Sequence, residues 1–152
     1  MRYFNSINEI LEFAIEQEQI AVDFYSDLAK NTKRNDLKNT FLEFVKEEMG
    51  HKIKLQKIQK EGVFSEDGPK EILDLKISDY ISGVKAYPDM TYQDTLIVAM
   101  KREKAAFKLY NSLAAMAPNE NLSKIFKNLA LEEANHKLQF ETEYDEYILK
   151  DN

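Results

Sequence analysis

Adding 85 to the number of any residue from 7 to 58 gives its partner in a second copy of one pattern, with no gap needed. Steps of four and three from Ile7 pick out Leu11, Ala14, Glu18, Ala21, Tyr25 and Leu28, and a second series runs Leu37, Phe41, Phe44, Glu48, His51, Leu55 and Ile58. Their partners are Tyr92, Leu96, Ala99, Glu103, Ala106, Tyr110 and Leu113, then Leu122, Phe126, Leu129, Glu133, His136, Phe140 and Glu143. Residues so spaced share one face of an α-helix, the inward seam of a bundle. Ten of these fourteen seam positions are identical between the copies, against three of the other thirty-eight (Ala29, Glu47 and Lys52 with their partners). A shared helix-forming composition would scatter identities over every face. Their concentration on the seam marks a duplicated helical hairpin with approximate two-fold symmetry. The pair Ile58 and Glu143 differs in kind, so the far end of the last helix is expected to leave the core.

Six polar residues interrupt the apolar seam: Glu18, Glu48, His51, Glu103, Glu133 and His136. Carboxylates moved into a low-dielectric interior carry a large desolvation cost, and neighbouring ones repel each other as well. No Lys or Arg lies on the seams to neutralise them. Two divalent cations would, since four carboxylates carry four negative charges and the imidazoles coordinate as neutral donors. The Glu-x-x-His pairs Glu48/His51 and Glu133/His136 project from one helix face. A single glutamate from each of two helices with Glu-x-x-His from each of two others is the ligand plan of di-iron and di-manganese carboxylate bundles. Oxygen-rich ligation suits Fe or Mn, with Zn as a substitute. Tyr25 and Tyr110 stand two turns beyond Glu18 and Glu103, as core aromatics or as hydrogen-bond partners facing a reaction pocket. Glu47 and Glu132 fall off the seam and are expected in solvent. Gly50, inside a helix, is expected to let another element approach the site.

Helix ends are marked by capping patterns. Ser6 with Glu9 and Thr91 with Asp94 pair a hydroxyl N-cap with an acid three residues on, and Gly62 is placed to stop the second helix. Helices are expected over about 6–30, 36–61, 91–117 and 119–149, in a single domain over 1–152. Two short turns and one long connection over 62–90 make an all-α, ferritin-like four-helix bundle, in which two antiparallel hairpins are joined by a crossover. Lys76–Val84 is expected to add a short helix there, and Glu66, Asp67 and Asp74 to be surface acids.

Composition narrows the function. The net charge of −6 argues against nucleic acid as a partner. No run of apolar residues is long enough to span a membrane, and the first ten residues lack the apolar stretch of a signal peptide, so a cytoplasmic protein is expected. The absence of cysteine excludes disulfides, thiolate catalysis and any iron–sulfur or rubredoxin-type centre within the chain.

The run Glu47-Glu48-Met49-Gly50-His51-Lys52, its partner Glu132-Glu133-Ala134-Asn135-His136-Lys137, and the pairs Glu18/Tyr25 and Glu103/Tyr110 resemble the rubrerythrin family of the ferritin-like superfamily. The resemblance implies a di-iron peroxidase that reduces hydrogen peroxide, with iron ligands at Glu18, Glu48, His51, Glu103, Glu133 and His136. It also implies a homodimer and a separate electron donor such as a rubredoxin-type protein. Two departures stand out. Typical relatives have a further glutamate where this chain has Ala106, and they append a cysteine-bearing rubredoxin domain. The chain is therefore expected to be a stand-alone domain with a more symmetric site, near the six-ligand centre of bacterioferritin and without its cage. Three functions follow: reduction of peroxide or dioxygen, non-catalytic binding and oxidation of Fe(II), or a bundle stapled by metal.

Overall fold

The computed structural model describes residue 4 and residues 6–62 and 91–150. Among them are four helices, α1 (Ile7–Asn31), α2 (Asn35–Glu61), α3 (Tyr92–Met116) and α4 (Glu120–Lys150), each end within one residue of its expected place. The expected helix at Lys76–Val84, and the acids Glu66, Asp67 and Asp74, lie outside the described residues. No described helix is long and apolar enough to cross a membrane.

Capping chemistry sets the boundaries. Ser6 Oγ accepts from the Glu9 N–H at 3.1 Å, Thr91 Oγ1 from the Asp94 N–H at 3.0 Å, and Asn119 Oδ1 from the Leu122 N–H at 2.8 Å. Each bond satisfies one of the backbone donors that a helix start leaves without a partner in the helix. α2 starts differently. Arg34 occupies its N-cap without a side-chain cap bond and pairs instead with Asp36 at 2.9 Å. That guanidinium holds the exposed Asp36 carboxyl below its ordinary range. At the other end Gly62 adopts φ +61°, the left-handed conformation that a Cβ disfavours, and its N–H reaches the Gln59 carbonyl.

The helices form two compact units, α1 with α2 and α3 with α4. In the first, Gln59 donates to Glu12 at 2.7 Å and Lys52 donates to Gln19 at 2.6 Å. Partners rise in number on one helix as they fall on the other, so the pair is antiparallel. The residues buried on α2 are the seven seam residues Leu37, Phe41, Phe44, Glu48, His51, Leu55 and Ile58, and no others. α1 buries four of its seam residues, Leu11, Ala14, Glu18 and Tyr25, and adds Ile10, Phe13, Ile15, Val22 and Ala29, while Ile7, Ala21 and Leu28 are half-buried. Phe4, ahead of the helix, also packs on Phe13 with ring centroids 5.4 Å apart.

In the second unit α4 leaves the core after Phe140, beyond which none of its described residues is buried, although it stays against α3. Glu143 is half-buried and accepts a hydrogen bond from Tyr92 Oη at 3.1 Å, while the Tyr92 and Tyr147 rings meet edge-on at 5.1 Å. Where the first copy carries Ile7 and Ile58, the second carries a tyrosine and a carboxylate that bond to each other. An apolar pair of positions has become a hydrogen-bonded pair at the margin of the core.

Gly50 sits mid-helix, and a Cβ added there would meet no atom within 4 Å. The expected close approach of another element at this position is not found among the described residues. Because glycine in a helix interior costs about 1 kcal/mol relative to alanine, Gly50→Ala is expected to stabilise the metal-free protein by about that amount. Urea unfolding midpoints would show it.

Candidate metal centre

α1 and α2 meet at a buried triad. Glu18 comes from α1, and Glu48 and His51 come from successive turns of α2. All three side chains are 2% exposed or less. His51 Nδ1 stands 3.6 Å from Glu18 Oε1 and 3.5 Å from Glu48 Oε1. The second unit repeats this, with Glu103 from α3 and Glu133 and His136 from α4, again 2% exposed or less. There His136 Nδ1 lies 3.6 Å from Glu103 Oε1 and 3.9 Å from Glu133 Oε1. Within each triad all three residues offer a ligand atom within 4.8 Å of the others.

These separations decide what the triads can do. At 3.5–3.9 Å the imidazole and carboxylates are beyond hydrogen-bonding distance. Ligand atoms each about 2.0–2.2 Å from one shared cation stand roughly 3–3.6 Å apart, close to the spacing observed. Charge points the same way. Two carboxylates side by side in a buried site repel each other, and burial disfavours their charged forms. A divalent ion between them would offset that repulsion, with the imidazole as a neutral donor. The donor set, two carboxylates and one imidazole per hairpin, fits a hard or borderline transition metal.

Tyr25 and Tyr110 are both 1% exposed. Tyr25 packs edge-on against Phe44 and against Phe24, at 5.6 Å in each case, so its ring is part of the core two turns from Glu18. Of the off-seam glutamates, Glu132 is exposed, whereas Glu47 is half-buried and less solvated than expected.

One contributor escaped the periodicity argument. Lys52 follows His51 and Gln19 follows Glu18, and the bond between them crosses from α2 to α1 at the level of the ligands. Its signal was that Lys52 and Lys137 form one of the three identities off the seam. The second hairpin uses its lysine otherwise, since Lys137 pairs with Glu141 along α4.

Comparison with known proteins agrees with this geometry. The model of the rubrerythrin family matches residues 9–81 and 94–152. A crystal structure described as a ferritin-like diiron-carboxylate protein, from Thermotoga maritima, superposes with a TM-score of 0.75 at 21% identity, covering 97% of this chain and 99% of its own. The fold is thus the ferritin-like four-helix arrangement of two hairpins. Comparison with curated proteins gives no match.

Proposed function

The chain belongs to the rubrerythrin family, and we propose that it is a di-iron oxidoreductase that reduces hydrogen peroxide or dioxygen with electrons from a separate donor. The observation that carries the reading is the matched pair of buried Glu/Glu/His triads, one in each hairpin. In the proposal the two irons are held by Glu18, Glu48, His51, Glu103, Glu133 and His136. Iron held there would supply the two electrons that, with two protons, reduce hydrogen peroxide to two waters.

The chain's own groups have distinct parts in this. The four carboxylates balance the charge of two divalent ions, and the histidines keep their coordinating nitrogens neutral while one helical turn fixes them beside Glu48 and Glu133. The apolar residues around each triad, among them Phe44, Leu55, Leu129 and Phe140, limit water at the site. Tyr25 and Tyr110 are assigned to orienting the ligating carboxylates or the oxidant. We take the reaction to be cytoplasmic, where soluble electron carriers are kept reduced.

Stopped-flow mixing of the ferrous-loaded protein with peroxide tests this. The iron is expected to oxidise at least a hundredfold faster than in Glu133→Ala. Equal rates would sink the proposal, and uptake of many more than two irons per chain with proportional oxygen consumption would replace it by iron handling.

A further inference from the structure

An exposed face of the second hairpin carries more positive charge than the equivalent positions of the first. A groove of about 420 Å³ between α3 and α4 is lined by Lys104, Phe107, Lys108, Ala134, Lys137, Leu138 and Glu141. Phe107 is half-buried, and Leu138 is 60% exposed. Three lysines and one glutamate thus give a local charge of +2 around an apolar floor. The chain as a whole carries −6.

The internal repeat provides the comparison. The equivalent positions of the first hairpin are Gln19, Val22, Asp23, Met49, Lys52, Ile53 and Gln56, which sum to zero charge. The apolar character is kept while Gln19 and Asp23 are replaced by Lys104 and Lys108. Duplication supplied the same face twice, and one copy became cationic. The location matters as well: Lys104, Ala134 and Lys137 directly follow Glu103, Glu133 and His136 in sequence. The groove is therefore lined by the immediate sequence neighbours of all three triad residues.

We propose that this groove is the docking surface for an acidic electron-carrying protein. The inference rests on the donor-dependent reading given above and adds to it the face at which the donor binds. An exposed apolar floor with a charged rim has the make-up of a protein interface. Opposite charge on a partner steers and orients its approach to the lysine rim.

The test uses the full chain, reduced rubredoxin as an acidic one-electron carrier, and the variant K104Q/K108D, which installs the first hairpin's own residues and so preserves helix geometry. Wild-type ferric protein is expected to be reduced with saturation at low ionic strength. The variant should need at least tenfold more rubredoxin for half-saturation, while dithionite, which needs no docking, reduces both alike. Calorimetric titration of the metal-free proteins with oxidised rubredoxin should give the same ratio. Lysine-dependent binding supports the docking surface even if peroxide fails to oxidise the ferrous protein, so the two readings fail separately. Absence of saturable binding, or binding that the variant retains, overturns the proposal.

Discussion

Loading the metal-free protein with Mn(II) or Fe(II) is expected to raise its thermal midpoint by about 8–16 °C. A ligand present at a thousand times its dissociation constant stabilises the folded state by about 4 kcal/mol. In a chain of this length each kcal/mol moves the midpoint by roughly 2–4 °C. The second half of the expectation concerns the metal-free state, in which two carboxylates and an imidazole share each buried site. Glu48→Gln with Glu133→Gln removes one negative charge from each triad and keeps its shape. Metal-free, that double variant should melt above metal-free wild type, because buried like charges no longer repel. Its response to metal should largely vanish. A wild-type midpoint indifferent to both metals, measured by calorimetry in chelator-treated buffer, would mean that the triads are not ion sites.

The seam could be read from sequence because duplication printed it twice. At Glu18, Glu48 and His51 the burial follows from spacing alone, and on α2 the seven seam residues are the whole buried set. A single heptad stripe, however, describes only one face of a helix. On α1 the residues Ile10, Phe13 and Val22, and on α3 Val98, Ala105 and Leu109, are buried on flanks that the stripe leaves out. Whether a flank is covered depends on what packs beside it, and the periodicity of one helix is silent on that.

The far end of α4 does leave the core, as Glu143 signals, but the bond that Glu143 makes was hidden for a similar reason. A lone carboxylate at a core position reads as the end of the core, and its rescue by Tyr92 appears only when the register of α3 on α4 is known. The cationic groove was hidden for the same reason. Lys104 and Lys108 are one turn apart on α3, but Lys137 joins them from the other helix of the hairpin. Spacing within a helix is legible in a sequence, whereas pairing between helices comes from packing.

Deleting a ligand from either hairpin should do equal and non-additive damage. Glu18→Ala and Glu103→Ala occupy equivalent places in the repeat, and their carboxylates stand at the same 3.6 Å from His51 and His136. If both triads serve one centre that must deliver two electrons together, each variant loses peroxide-driven oxidation by about a hundredfold or more, since even partners outside the ligand shell are worth 10–100-fold. The double variant should then be scarcely worse than either single one, as happens when groups act as a unit. Two independent sites predict something different. Each single variant would keep one competent triad, about half the activity and one metal ion, and only the double variant would be inert. Metal stoichiometry and single-turnover rates of the three proteins separate these outcomes, and half-active single variants would refute a joint centre while leaving metal binding by each hairpin intact.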